Sequence, residues 1–205
     1  WARRLDCNMS GRSDKTKQKI FETMVELMGQ RGYQGVSVDE VAAAAGIAKG
    51  TLYYHYKGKA EMMEALLEDR LEPAIANLKE IEKEAREDAG YALRKLIVAE
   101  FEFLYTQRSF ARVLLTELWR EDRGWQDSVR NLRQQIVDIY TRVLNAGIAQ
   151  GHFRDDMPIG YGASAIFGLA ATSVLDHLMF DPTASVDEVR ENLLFVVLGV
   201  VKKQS

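Results

Sequence analysis

The stretch Ser37-Val-Asp-Glu40-Val-Ala-Ala-Ala-Ala-Gly46-Ile-Ala-Lys49-Gly50-Thr51-Leu-Tyr53-Tyr54-His55-Tyr-Lys-Gly58-Lys59 decides the fold. Ser37 and Glu40 have the spacing of a capping box, in which the Ser37 hydroxyl accepts from the Glu40 amide while Glu40 reaches back. This opens a short alanine-rich helix, Val38 to Ala45, whose small side chains let a neighbouring helix cross closely. Gly46 makes a tight turn, and a third short helix follows from about Ala48 to His55. Two short helices joined by a glycine turn form a helix-turn-helix when a longer helix supports them. Thr16 to Arg31 supplies that support, with Ile20, Phe21, Met24, Val25, Leu27 and Met28 spaced by three and four, and Gly32 placed for a left-handed cap.

At 100° per residue the third helix has two distinct sides. Leu52 and Tyr56 share the row that faces the small core. Gly50 and Tyr54 lie opposite, flanked by Lys49, Tyr53, Thr51 and His55. The outward surface is therefore cationic, hydroxylated and aromatic, with Gly50 removing bulk at its centre. Such a surface suits a major groove, with tyrosines, His55 and lysines as donors to phosphates. Lys59 adds a further phosphate donor at the start of the next helix. Charge agrees with this. The chain carries −3 overall, yet residues 1–60 hold 10 Lys+Arg against 6 Asp+Glu, and Val41 to Ala60 contains no acid. A basic patch on an acidic chain points at a polyanion, although a solvated face has the same composition.

The run from Gly32-Tyr33 through Val36-Ser37-Val38 and Ala45-Gly46-Ile47-Ala48-Lys49-Gly50-Thr51-Leu52-Tyr53-Tyr54-His55-Tyr56-Lys57-Gly58-Lys59 resembles the DNA-binding signature of the tetracycline-repressor (TetR) family. That resemblance implies an all-α fold and a dimeric transcriptional regulator. It places Lys49, Gly50, Thr51 and Tyr53 against the groove and Ser37, Tyr54, His55 and Lys59 against the backbone. Two positions depart from the family pattern. Ala48 replaces a frequent serine, and Gly58 replaces a common polar cap.

The expected division is a helix-turn-helix domain over 10–58 and a helical effector-binding and dimerisation domain over 59–205. The apolar pattern predicts helices near 59–84, 88–107, 109–120, 124–150, 158–180 and 185–203, with Pro73 kinking or splitting the first and Ser185-Val-Asp-Glu188 capping the last. The last helix carries a stripe including Leu193, Val196, Val197 and Val200. The helix before it carries Leu169, Ser173, Val174 and His177. These eight residues are the expected dimer interface, two helices from each subunit forming a four-helix bundle; the alternative is that they cover only the chain's own core. The resemblance also implies an effector cavity, for which Phe101, Leu104, Phe110, Leu114, Trp119, Tyr140 and Phe167 are the candidates. The Leu115–Asp156 region is similar to fatty-acyl-CoA-responsive members of the family. That similarity implies a fatty acid, an acyl-CoA or another apolar molecule as the expected effector, with Arg108, Arg112 or Arg120 available to an anionic headgroup.

Composition narrows the remaining classes. The 205 residues are 47% hydrophobic and 28% charged, with 15 glycines and 3 prolines, which argues against disorder and against a turn-rich β protein. The single cysteine, Cys7, permits no intrachain disulfide and fits a reducing cytoplasm. Met9-Ser-Gly-Arg reads as a native start, with residues 1–8 an upstream extension. Met157 to Leu175 lacks charge but is interrupted by Pro158, Gly160, Gly162 and Gly168, so a buried helix fits better than a membrane span. No catalytic, phosphate-loop or metal motif is visible, and no enzyme activity, cofactor or metal is expected. The expected partners are double-stranded operator DNA, a second copy of the chain and an apolar effector. An activator of the same architecture, a helical adaptor and a helical-bundle enzyme are the alternatives.

Overall fold

In a computed structural model, the chain is described over residues 2–117 and 125–203, with side chains over 14–117, 125 and 127–203. Among the described residues there are nine helices and no strand: α1 Ala2–Arg31, α2 Val38–Ala45, α3 Lys49–His55, α4 Lys59–Glu84, α5 Ala89–Thr106, α6 Arg108–Glu117, α7 Gln126–Ala149, α8 Ile159–Met179 and α9 Val186–Val201. The expected all-α fold is present. Two details differ. α1 begins well before Thr16, and α4 runs through Pro73 as one helix. Pro73 lies on the exposed side of α4, where water can serve the carbonyl that its missing N–H leaves free.

The head is built as its sequence dictates. The Ser37 hydroxyl accepts from the Glu40 amide at 3.2 Å, and a Glu40 carboxylate oxygen accepts from the Ser37 amide at 2.8 Å. Gly46 adopts φ 64°, a left-handed conformation costly for a residue with a Cβ. The turn that this creates lets the Gly46 and Ile47 amides bond back to Ala43 and Ala42. Ala42 and Ala45 are buried where the short helices meet, whereas Ala43 and Ala44 face water. Phe21, Met24, Val41 and Leu52 close the small core, and Tyr56 packs against it beside Phe21. α3 has no side-chain cap at Ala48, and α4 has none at Gly58, where the Glu61 carboxylate instead accepts from the Lys57 amide at 2.6 Å.

The head is tied to the body through α4. Asp69 receives Lys17 at 2.8 Å and Gln18 at 3.1 Å, both from α1, while Arg70 donates to Gln18. In the body, α4, α5, α7 and α8 pack around fully buried Leu93, Phe101 and Tyr140, with α9 laid on α5 and α8. Gln150 locks the α4–α5 turn by accepting from the Ala89 amide and donating to the Ala85 carbonyl.

α8 and α9 present two apolar faces each. Val174 of α8 and Leu193, Val197 and Val201 of α9 are buried in the chain's own core, as is His177. Leu169, Phe195, Val196 and Val200 face outward. The expected interface set therefore divides. Leu169, Ser173, Val196 and Val200 reach the surface, but Val174, His177, Leu193 and Val197 pack inside one subunit and are corrected to core positions. α8 is long and apolar enough to cross a membrane by length and composition, yet its sequence also suits one buried and one subunit-covered face.

Candidate nucleic-acid interface

α3 is positioned by burial of a single side chain. Leu52 is fully buried, and this turns the opposite side of a seven-residue helix to solvent. Tyr54 is 85% exposed and Tyr53 50%, and Lys49, Gly50, Thr51 and His55 are exposed with them. The Tyr54 and His55 rings meet edge to face at 5.2 Å. A Cβ placed on Gly50 meets nothing within 4 Å, so the centre of this face is open. Lys49 donates to Asp39 of α2 at 2.6 Å, and the Tyr53 hydroxyl lies 3.4 Å from the other oxygen of that carboxylate. Six of the eight expected DNA-contacting residues thus form one continuous outward surface.

The other two are engaged elsewhere. The Ser37 hydroxyl donates to Glu40 at 2.8 Å while accepting from its amide, so its hydrogen bonds serve the helix cap. Glu40 is held in that role by the Arg31 guanidinium, 2.6 Å away, which with the Ser37 donors brings its carboxyl down to about 2. Lys59 turns inward. Its ammonium donates to the Tyr33 and Val36 carbonyls at 2.8 and 2.9 Å and sits 4.3 Å from the centre of the Tyr33 ring. Burial pushes its pKa below the ordinary lysine value. Lys59 is therefore a strut for the α1–α2 loop, a role invisible in a motif that marks it only as a cation.

Removing this strut has a distinguishable outcome. Lys59→Ala loses two charge-assisted hydrogen bonds and is expected to cost about 2 kcal/mol in chemical denaturation. The salt dependence of DNA binding should keep its slope. A phosphate-contacting lysine would instead lower that slope by about one.

A second site lies in the body. A cavity of about 350 Å³ is walled by α4, α5, α6, α7 and α8. Leu71, Ile75, Leu78, Leu104, Leu114, Leu115 and Phe167 make it apolar, while exposed Asn77, Glu102 and Thr106 mark where it meets solvent. Of the expected cavity residues, Leu104, Leu114 and Phe167 line it. Phe101 and Phe110 are buried but absent from its wall, and Tyr140 stands behind it. Trp119, like the headgroup candidate Arg120, lies outside the described residues; Arg108 and Arg112 are exposed and do not line the cavity.

Besides Glu102 at the mouth, two charged residues deeper in the wall were not foreseen. Arg133 of α7 donates to the Ser164 hydroxyl and lies 5.5 Å from the centre of the Phe167 ring. Among the described residues, no carboxylate pairs with it. Glu100 of α5 is buried and receives the Tyr140 hydroxyl at 2.6 Å. Burial pushes its carboxyl up to about 8 against the pull of that hydrogen bond, so the neutral form predominates at pH 7. Both residues carry a detectable sequence signal. Glu100 falls in the series Leu93, Leu96, Ile97, Phe101 and Leu104, and Arg133 in the series Val129, Leu132, Ile136, Val137 and Tyr140, each a charge at an inward helical position.

The head and the cavity-bearing body also meet away from α4. The Tyr33 ring, held by Lys59, packs edge-on against buried Trp125 at 5.5 Å, immediately before α7. α6 lies against α1. A movement of the cavity walls has short, packed routes to the head.

Comparison with known proteins agrees with this architecture. The pattern of the bacterial regulatory proteins of the tetR family matches residues 20–66, and that of the tetracyclin repressor-like C-terminal domain matches residues 91–193. The chain is 26% identical over 199 residues to the HTH-type transcriptional repressor KstR2 of Mycobacterium tuberculosis, covering 96% of this chain and 98% of that protein. A solved Clostridium perfringens protein assigned as a fatty acid metabolism regulator is 30% identical, with a TM-score of 0.79 over 91% of this chain and 100% of the other. The regulator FadR of Bacillus subtilis, solved in complex with stearoyl-CoA, has 23% identity and a TM-score of 0.78, over 88% of this chain and 97% of its own; this likeness is one of fold.

Proposed function

Because the chain belongs to the tetR family of bacterial regulatory proteins, a family of dimeric, effector-responsive DNA-binding regulators, we propose that it is a repressor released from its operator by a long-chain acyl effector. The observation that carries this reading is the apolar cavity with Arg133 in its wall. Its volume of about 350 Å³ falls within the usual ligand range. A guanidinium with no carboxylate partner among the described residues, set beside a hydrocarbon wall, suits an amphiphile with a carboxylate or phosphate end. The similarity to a fatty acid metabolism regulator at 30% identity supports the same class.

In this reading, residues 10–58 read DNA and residues 59–205 bind effector and partner. Lys49, Gly50, Thr51 and Tyr53 approach the bases, while Tyr54 and His55 hold phosphates. Leu169, Phe195, Val196 and Val200 pair two subunits and set their recognition helices about one turn of duplex apart, roughly 34–36 Å. Effector bound between α4 and α7 spreads Met62–Leu71 and changes that separation. Such coupling is typically about 1–3 kcal/mol, or about 5–150-fold in operator affinity. The protein regulates rather than catalyses, and it works beside the chromosome in the cytoplasm.

The test is a titration of a promoter fragment from the protein's own locus with and without hexadecanoyl-CoA. Release by the thioester supports the reading; operator affinity unchanged at saturating thioester overturns it. Arg133→Ala should weaken thioester binding about tenfold while leaving operator binding without effector intact. Equal affinities in calorimetry would remove Arg133 from the headgroup site.

A further inference from the structure

The cavity holds a polar group that a plain hydrocarbon ligand does not satisfy. Glu100 is 5% exposed and lines the cavity, and its Oε2 is taken by the Tyr140 hydroxyl. Among the described residues its Oε1 is buried with no hydrogen-bond partner, and no cation pairs with the carboxyl. Leaving a buried polar oxygen unsatisfied is expensive, and satisfying Tyr140 needs only one acceptor. The second oxygen is surplus to the fold. The wall is mostly apolar, with Asn77, Glu102, Thr106, Gln107 and Arg133 as its other polar side chains.

We propose that Glu100 reads an oxygen function on the effector, so that the preferred ligand is an amphiphile whose hydrocarbon part carries a hydroxyl group. This rests on the reading of the cavity as the effector site. A neutral carboxyl offers one O–H and one lone-pair oxygen. With Tyr140 donating to Oε2, the free end either donates to the ligand or accepts from it, and a hydroxyl complements both arrangements. A ligand cation at this depth is disfavoured, because the carboxyl beside it is neutral at pH 7 and Leu104 and Leu71 offer it no solvation. Protonation of Glu100 at neutral pH agrees with this pairing.

The position of the oxygen follows from α7. Arg133 and Tyr140 are seven residues apart on one face of that helix, about 10 Å along its axis. Taking that rise as the spacing of the two contacts, an anionic end at Arg133 and an oxygen at Glu100 would be separated by about eight bonds of extended chain. The hydroxyl belongs in the middle of a long acyl chain, away from its carboxyl end.

The experiment is calorimetry on the full chain with hexadecanoic acid, its coenzyme A thioester and the mid-chain hydroxylated counterpart of each. The wild-type protein is expected to bind the hydroxylated member of a pair about tenfold more tightly. Glu100→Leu should abolish or reverse that preference, whereas Glu100→Gln should retain part of it. Should the leucine variant fail to fold, Glu100→Met provides the same reading. A merely structural Glu100 would change both affinities together and leave their ratio untouched. Equal binding of both members by the wild type, or a preference that survives Glu100→Leu, overturns the oxygen reading alone. Absence of binding by all four probes overturns the long-chain reading of the cavity and this proposal with it.

Discussion

Gly50→Glu should lower operator affinity at least a hundredfold while leaving the thermal unfolding temperature and the dimer unchanged. A side chain at this position has room in the free protein, since a Cβ there meets no atom within 4 Å. Glycine inside a helix costs about 0.5–1 kcal/mol relative to a good helix former, so glutamate does not weaken α3. On DNA the situation reverses. Gly50 lies at the centre of the outward face, between Lys49 and Thr51, where recognition requires close backbone approach. A carboxylate there meets both steric exclusion and the negative potential of the duplex, once in each half-site. Fluorescence anisotropy at low ionic strength reads the loss, and circular dichroism checks the fold. Retained affinity in a folded variant would place the DNA surface elsewhere.

The combination Val196→Arg with Val200→Arg should convert the dimer to a folded monomer and reduce operator affinity by a similar factor. Val196 is 47% exposed and Val200 54%, one turn apart on the outer side of α9, next to Phe195 at 80%. Arginine at Val200, in the last turn, also agrees with the helix dipole. Two subunits meeting through this face would bring four guanidinium groups together without counter-charges. Val197→Arg provides the contrast. Val197 is 1% exposed inside its own subunit, and a charge there should lower the melting temperature instead of cleanly separating subunits. Sedimentation velocity and thermal melts distinguish the two cases. A double variant that remains dimeric would relocate the interface.

The head was legible from sequence because each of its signals is local. The Ser37–Glu40 box, the Gly46 turn and the inward Leu52 act within a few residues, and the structure reproduces all three. The α9 stripe was less informative. Leu193, Val196, Val197 and Val200 span more than one face, and spacing does not reveal which part meets the chain's own core. Only the packing of α9 on α5 and α8 separates Val197 from Val200. Lys59 eluded the motif for a related reason. A lysine beside a DNA-binding helix reads as a phosphate donor until the carbonyls of a distant loop are placed around it. The cavity was hardest, because Phe101 and Phe110 pack as ordinary core while the chemically informative positions are Glu100 and Arg133. Aromatic content drew attention to bulk; a charge at a buried register was the better guide.

The Lys49–Asp39 pair gives the reading head an internal counter-ion. Under the proposed DNA reading, the cation offered to the groove is already neutralised by α2, and any DNA that recruits it must first displace a carboxylate 2.6 Å away. Because both side chains are well exposed, the bond broken is worth little. Displacement is therefore easy, but the freed Asp39 carboxylate remains beside the duplex, adding repulsion wherever the fit is too poor to hold Lys49 and Tyr53 in new contacts. On that reading, a small acidic side chain in the first turn of α2 disfavours casual encounters and favours sites that engage the whole of α3 over the far more numerous stretches of chromosome that offer only charge.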